Sequence, residues 1–139
     1  MGKFGFPPER TPAQLTTALG AGSTTPWEMA GAYSVFANGG YRVKPYLIDR
    51  VTDNEGKVLM KVHNPQAGDE TIRAIDERNA FIMHTLLNGV IRGGTGARAY
   101  RELKRGDMGG KTGTTNNSYD AWFAGYAGPL VAVGWMGYD

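Results

Sequence analysis

The chain has 139 residues, of which 41% are hydrophobic and 20% charged, and it contains no cysteine. This balance is typical of a globular chain of at most one domain, and the lack of cysteine excludes a disulfide framework and a thiolate metal site. The net charge of +2 is small and evenly spread, so binding to nucleic acid or to an anionic membrane surface is not predicted. There is no apolar run of roughly eighteen residues and no signal-peptide core, so if the protein works outside the cytoplasm, its export signal lies elsewhere.

The first half of the chain predicts two helices. A short helix is expected over residues 12 to 18, with Thr11 as its cap and Gly20 as its stop. A stronger signal follows, because Thr25, Pro26 and Glu28 form a capping box with proline at the first helical position. Asn38-Gly39-Gly40 ends this second helix. Its core-facing residues are expected to be Met29, Ala30, Tyr33, Phe36 and Ala37, with Trp27 also packed.

A hairpin and a third helix are predicted next. Period-two alternation predicts strands between Tyr41 and Val62 about a turn at residues 53 to 56, with Pro45 restricting the first strand. Asp76 is expected to cap a helix over about residues 77 to 92. The apolar face of that helix should comprise Ala80, Met83, Leu87 and Ile91, widened by Phe81 and Val90. The segment Gly93-Gly94-Thr95-Gly96 is interpreted as a flexible connector.

Three strands are expected to complete the chain. They contain Lys111-Thr112-Gly113, Trp122-Phe123 and residues 131 to 138, and their connections are short enough for an antiparallel meander. Helices and strands follow one another without βαβ regularity. The expected fold class is therefore α+β.

The segment Gly109-Gly110-Lys111-Thr112-Gly113-Thr114-Thr115-Asn116 concentrates one cation, three hydroxyls and three glycines in eight residues. Such a strand is suited to hold an anion, since Lys111 supplies positive potential and Thr112 and Thr114 can each donate a hydroxyl. Gly113 removes a Cβ at mid-strand, which lets another backbone come close. An extended peptide that ends in a carboxylate would fit this strand.

The residues around this segment extend the pattern. They are Ala18-Leu19-Gly20, Thr25-Pro26, Met29-Ala30, Ala32-Tyr33, Phe36-Ala37-Asn38-Gly39-Gly40, Tyr119-Asp120-Ala121-Trp122-Phe123-Ala124-Gly125-Tyr126 and Val131-Ala132-Val133-Gly134-Trp135-Met136-Gly137-Tyr138-Asp139. Over essentially its whole length, the chain resembles the transpeptidase domain of class A penicillin-binding proteins, which also carry a glycosyltransferase domain. The resemblance implies an α+β fold of the penicillin-binding protein and serine β-lactamase type, with an antiparallel meander and helices.

The resemblance also implies roles for this strand. In the family a serine nucleophile is activated by a lysine one helical turn later, with a Ser-x-Asn motif nearby and Lys-Thr-Gly on the opposing edge strand. Lys111 and Thr114 would be catalytic, the first through its charge and its bond to the Ser-x-Asn serine, the second through its backbone N–H in the oxyanion hole. Thr112, Gly113, Thr114, Thr115 and Asn116 would bind the D-Ala-D-Ala end of a peptidoglycan stem peptide or a β-lactam. No cofactor or metal is implied.

The nucleophile and the Ser-x-Asn motif are absent. The serines are Ser23, Ser34 and Ser118, and none is followed by lysine three residues later or by asparagine two residues later. Residues 1 to 139 are therefore expected to be a C-terminal portion of the domain, without the nucleophile region and the closing helix. Such a piece should be inactive alone and partnered by the rest of the domain. The resemblance places the complete enzyme on the periplasmic, extracytoplasmic face of the cell membrane, anchored by a segment outside this chain.

Two other functions stay open from the residues themselves. The first is a non-catalytic interaction module that keeps the carboxylate-binding strand but never meets a nucleophile. The second is a nucleotide-binding protein, because Gly110-Lys111-Thr112 matches the end of a phosphate loop. Arg105 stands where that pattern requires its first glycine, and the residues after Lys111 start a helix poorly, so the second hypothesis is the weaker.

Overall fold

The computed structural model describes residues 1 to 138, and Asp139 lies outside the described residues. The described chain combines helices with two antiparallel sheets, as the α+β prediction requires. The helices are α1 (Pro26–Ala37), α2 (Glu77–Gly93) and α3 (Ala97–Leu103). The strands are β1 (Arg50–Thr52), β2 (Val58–Lys61), β3 (Gly109–Thr114), β4 (Asp120–Ala127) and β5 (Leu130–Gly137).

The predicted starts of the two long helices are confirmed. Thr25 Oγ1 accepts a hydrogen bond from the Glu28 N–H at 3.2 Å, and the Glu28 carboxylate accepts one from the Thr25 N–H at 3.0 Å. At the start of α2, the Asp76 carboxylate accepts from the Arg78 N–H at 2.9 Å. Each cap satisfies a backbone donor that the helix itself leaves unpaired.

Three local predictions are wrong. The helix expected over residues 12 to 18 is a 3₁₀ helix, Leu15–Leu19, although it does end at Gly20 in the left-handed region. Trp27 is 46% exposed and Phe81 is 70% exposed, so neither packs in the core of the described chain. Phe81 directly follows the buried Ala80, and a single residue step turns a helix by about 100°, which carries Phe81 off the buried stripe.

The three-stranded sheet has the predicted meander topology. Its strand order is β3-β4-β5, which places β3 at an edge. Helix α2 packs against β3, and α1 packs against β4 and β5. Trp122 lies opposite Trp135 and Tyr126 lies opposite Gly109. Tyr126 and Ala124 are buried where the sheet meets the helices.

The hairpin is present but shorter than predicted. Strand β1 begins only at Arg50, and between residues 41 and 49 the sole bridge is the isolated pair Tyr41 and Arg73. Pro45 lies in this stretch and has no N–H to donate to a ladder. A bulge between Val51 and Thr52 further shortens the regular pairing.

Helix α3 was not predicted. The composition of Ala97–Leu103, with Ala, Arg, Glu and Leu, nevertheless favours a helix. Arg98 Nε donates to Glu102 Oε1 at 2.7 Å, one turn later. Lys104 ends the helix with φ at 51°.

Candidate functional site

Residues 111 to 114 of strand β3 present an open edge with two outward N–H groups. The Thr115 N–H donates to the Asp120 carbonyl at 3.1 Å, and the pairing of β3 with β4 continues without a register shift. Bonding directions alternate along an antiparallel strand. The N–H and C=O groups of Lys111 and Gly113 therefore face β4, while those of Thr112 and Thr114 face away from the sheet.

The charged and hydroxyl side chains lie along the same edge. The Lys111 ammonium is exposed and donates to the Thr112 carbonyl at 2.6 Å, which agrees with an outward carbonyl at Thr112. The Thr112 and Thr95 hydroxyls are hydrogen-bonded to each other, with their oxygens 2.7 Å apart. The Thr114 side chain is exposed. The structure thus brings one ammonium, two backbone donors and three hydroxyls to one strand edge.

The glycines of β3 differ in whether packing requires them. A Cβ on Gly109 would lie 2.6 Å from the Tyr126 ring, and one on Gly110 would lie 3.0 Å from the Ala124 carbonyl oxygen. Neighbouring atoms therefore leave no room for a Cβ at Gly109 and very little room for one at Gly110. A Cβ on Gly113 would meet only the Trp122 Cβ, at an ordinary 3.5 Å. Packing among the described residues gives no reason for glycine at position 113.

Thr115 and Asn116 lie in the turn that follows the strand. The Thr115 hydroxyl accepts from the Asp120 N–H at 2.8 Å, and the Asp120 carboxylate accepts from the Trp135 indole N–H at 2.9 Å. Asn116 opens a 3₁₀ turn, Asn116–Ser118, whose last two residues have positive φ. The Thr115 hydroxyl is thus engaged in the turn, whereas residues 111 to 114 form the open edge.

Two contacts near the sheet have no counterpart in the sequence patterns. Thr95 belongs to the connector after α2 and reaches Thr112, seventeen residues later. His84 Nδ1 lies 3.0 Å from the Tyr126 hydroxyl at the opposite end of the sheet, and burial raises the pKa of Tyr126 to about 12. Both are tertiary contacts between segments far apart in sequence, which residue spacing alone does not reveal.

The phosphate-loop hypothesis fails on this geometry. Lys111 and Thr112 lie inside strand β3, and the next helical element is the single 3₁₀ turn at Asn116–Ser118. A phosphate loop needs the N–H groups of a helix N-terminus directly behind its Gly-Lys-Thr. Here the backbone donors belong to a strand edge instead.

Comparison with known proteins identifies the family. A family model described as the penicillin-binding protein transpeptidase domain matches residues 3–136. Penicillin-binding protein 1A of Neisseria lactamica is 48% identical over 99% of the chain, and that of Pseudomonas aeruginosa is 38% identical over 99%. The crystal structure of penicillin-binding protein 1A from Haemophilus influenzae matches 99% of the chain with a TM-score of 0.89 and 36% identity. Penicillin-binding protein A of Mycobacterium tuberculosis, as an imipenem acyl-enzyme complex, matches 95% with a TM-score of 0.66 and 25% identity.

The chain therefore belongs to the transpeptidase family of penicillin-binding proteins, and the predicted resemblance is confirmed. Within that family it is similar to the class A proteins named penicillin-binding protein 1A. It spans 17% of the length of the Neisseria lactamica protein and 22% of the Pseudomonas aeruginosa protein, so it forms part of a transpeptidase domain. Among residues 1 to 138, none of the helices is both long and apolar enough to cross a membrane.

Proposed function

We propose that this chain supplies the substrate-binding strand of a serine D,D-transpeptidase that cross-links peptidoglycan stem peptides. The observation that carries the proposal is the open edge of β3, where two outward backbone N–H groups, the Lys111 ammonium and the exposed Thr114 lie within four residues. A peptide can add to such an edge through main-chain hydrogen bonds. The carboxylate of a D-Ala-D-Ala end or of a β-lactam is the anion that these donors suit.

Each residue of the edge has a separate role in this proposal. The Thr114 N–H donates to the developing oxyanion, and removing one such donor typically costs roughly 2.7–4 kcal/mol of transition-state stabilisation. The Thr112 and Thr114 hydroxyls bind the carboxylate, and Lys111 adds positive potential. Gly113 leaves room for the ligand to approach, while Thr115 and Asn116 border the site from the turn.

The rest of the machinery comes from the remainder of the domain. That part carries the serine with its activating lysine, which the residues of this chain do not provide. The complete enzyme lies on the periplasmic, extracytoplasmic side of the membrane, held by an anchor outside these residues. One related structure, of penicillin-binding protein A from Mycobacterium tuberculosis, is an acyl-enzyme complex with imipenem. That protein thus binds a β-lactam covalently, which supports the proposal for this chain.

Labelling with a fluorescent penicillin tests the proposal in the complete enzyme. We expect Lys111→Ala to slow acylation by roughly a hundredfold, because acyl transfer depends strongly on fixed charges and donors that stabilise the developing negative charge. Its melting temperature should stay near that of the wild type, since the Lys111 side chain is exposed. Lys61→Ala is the matched control, because Lys61 is also an exposed strand lysine but lies on the hairpin.

Two results would count against the proposal. If Lys111→Ala lost acylation only in proportion to its loss of folded protein, the lysine would have no role in the chemistry. If the complete wild-type enzyme took no label, the strand would belong to a non-catalytic carboxylate-binding module. We also expect this chain alone to form no adduct, because an unactivated serine is a weak nucleophile at neutral pH.

A further inference from the structure

The hydroxyl of Thr112 on the open edge is held by a residue outside the sheet. Its Oγ1 lies 2.7 Å from Oγ1 of Thr95, which belongs to the connector between α2 and α3, residues 94 to 96. Thr112 is half-buried and Thr95 is exposed. The contact therefore sits at the border between the sheet edge and solvent, where a ligand on the edge would reach it.

The connector is hydrogen-bonded to α2 on both sides of Thr95. The N–H groups of Gly94 and Gly96 both donate to the Val90 carbonyl, at 3.0 and 3.2 Å. Gly96 is buried, and a Cβ there would lie 2.7 Å from Ile91 Cδ1. This close fit holds the backbone on the C-terminal side of Thr95 against α2.

The other end of the contact is fixed independently. Asn88 on α2 donates through Nδ2 to the carbonyls of Gly106 and Met108, at 2.9 and 2.6 Å. Arg92 Nη2 donates to the same Gly106 carbonyl at 3.3 Å. These bonds tie the approach to β3 to the helix that carries the connector. The distance between Thr95 and Thr112 is thus set by two anchored backbones.

The chemistry of paired hydroxyls suits an anion. Either hydroxyl can donate to the other because a hydroxyl proton rotates; when Thr95 donates, Thr112 keeps its own O–H for a carboxylate, which can only accept. A hydroxyl that accepts a hydrogen bond is also polarised and donates more strongly. Without Thr95, the Thr112 hydroxyl would rotate freely. Orienting it when the ligand binds would then cost rotational entropy.

We propose that Thr95 is a positioning residue that orients the Thr112 hydroxyl toward the carboxylate of the substrate or β-lactam. This inference rests on the transpeptidase function proposed above. It adds to the site a residue from the connector, seventeen positions before Thr112, that acts through that hydroxyl.

The test uses the complete enzyme and measures acylation by benzylpenicillin as a function of its concentration. We expect Thr95→Val to lower the second-order acylation constant about tenfold, mainly by weakening the non-covalent complex; tenfold corresponds to about 1.4 kcal/mol. Thr95→Ser should restore most of the loss because it keeps the hydroxyl. Thr85→Val is the matched control, since Thr85 is an exposed threonine on α2 whose hydroxyl bonds only the Phe81 carbonyl of its own helix.

A double-mutant cycle separates positioning from a general structural effect. If Thr95 acts through Thr112, the variant with both Thr95→Val and Thr112→Val should be no slower than Thr112→Val alone. Additive losses would overturn the inference. Should Thr95→Val unfold early, Thr95→Ala removes the hydroxyl with less bulk and takes its place in the cycle.

The outcomes distinguish this inference from the proposed function. A wild-type acylation rate in Thr95→Val, together with a large loss in Lys111→Ala, would overturn the role of Thr95 and leave the transpeptidase proposal standing. No acylation of the wild-type enzyme would overturn both. A loss in Thr95→Val that Thr95→Ser restores and that is non-additive with Thr112→Val supports both.

Discussion

Gly113 and Gly109 lie four residues apart on one strand, and the structure predicts opposite phenotypes for their substitution. Gly113→Ala should change the free energy of unfolding by less than about 0.5 kcal/mol, because its Cβ would make only an ordinary contact with Trp122. It should still slow acylation of the complete enzyme roughly tenfold or more, because it displaces a ligand from the strand edge. Gly109→Ala should cost about 1–3 kcal/mol of stability, because its Cβ would collide with the Tyr126 ring.

Thermal melts and penicillin acylation rates of the two variants provide the check. Stability and acylation should separate in Gly113→Ala and should fall together in Gly109→Ala, where any loss of activity follows the loss of folded enzyme. A fully active Gly113→Ala would show that no ligand approaches the strand at this point.

At the scale of single residues, the sequence predicted that the strand at residues 111 to 114 lies at an edge. It did not predict the contact from Thr95 that holds Thr112. The dense run of Lys, Thr and Gly identified positions 111 to 114 because their chemistry is local to one strand. The contact between Thr95 and Thr112 depends on how α2 lies against β3, and no residue pattern encodes it. The exposure of Trp27 and Phe81 could not be predicted for a similar reason, since hydrophobicity gives a preference for burial but not the direction of the core.

At the scale of elements, Asn88 joins helix α2 to the approach of β3. Its side chain donates to the carbonyls of Gly106 and Met108 and accepts from Arg92 Nε at 2.8 Å. Asn88→Ala leaves a partly buried carbonyl without its donor, so we expect a loss of about 1–3 kcal/mol in the free energy of unfolding. Asn79→Ala, at an exposed position on the same helix, should change stability by less than about 0.5 kcal/mol.

Denaturant unfolding of the complete transpeptidase domain would measure both changes. Equal small effects for Asn88→Ala and Asn79→Ala would mean that the helix and the strand are held together by apolar packing alone.

A second link between elements depends on pH. Glu70 accepts from Arg73 Nε at 2.5 Å and from the Tyr41 hydroxyl at 3.0 Å, and Arg73 also lies 4.3 Å above the Tyr41 ring. The hydrogen bonds from Arg73 and Tyr41 lower the pKa of Glu70 from 4.5 to about 2. Because the folded state favours the ionised carboxylate, this contribution is fully present above about pH 4.5 and is lost as the pH falls toward 2.

The melting-temperature difference between wild type and Glu70→Gln should therefore be constant at neutral pH and shrink to zero across that acid window. Glu55→Gln, in the exposed hairpin turn, controls for the loss of a glutamate as such. A difference that did not vary between pH 6 and pH 2 would contradict a stabilising role for ionised Glu70.

Elements with strong local signals were predictable, and those without them were not. The caps at Thr25 and Asp76 act within one helical turn, so residue spacing is enough to place them. Strands β4 and β5 are marked by apolar and aromatic runs, and β3 is marked by its Lys-Thr-Gly run. Helix α3 was missed because it is only seven residues long and follows a glycine-rich connector, which masks its helical composition.

At the scale of the whole molecule, the chain exposes more surface than a self-contained domain of its mass. Its accessible surface is 9821 Å², whereas a folded monomer of 15.0 kDa exposes about 7,000 Å². The excess is well above the roughly 800 Å² that each partner buries in a standard protein interface. Among residues 1 to 138, the only large side chains below 2% exposure are Ile91 and Val35.

The exposed apolar residues indicate which surfaces of the chain another part of the protein should cover. Leu130 and Met136 on β5 are 69% and 75% exposed, and the hairpin strands β1 and β2 are exposed along their whole length. An isolated two-stranded hairpin is at best marginally stable in water. Leaving several hundred Å² of apolar surface uncovered forgoes roughly 5–15 kcal/mol at 25 cal/mol per Å², which is comparable with the stability of a whole domain.

We therefore expect residues 1 to 139 to fold stably only in contact with the rest of the transpeptidase domain. The purified chain alone should bind a hydrophobic dye and should melt without a sharp transition, because the sheet and the hairpin expose apolar surface that water solvates poorly. Co-expression with the nucleophile-bearing part should restore a cooperative transition and penicillin labelling together. A monodisperse monomer with a sharp thermal transition in the absence of any partner would show that α1, α2 and the three-stranded sheet are sufficient to hold the fold.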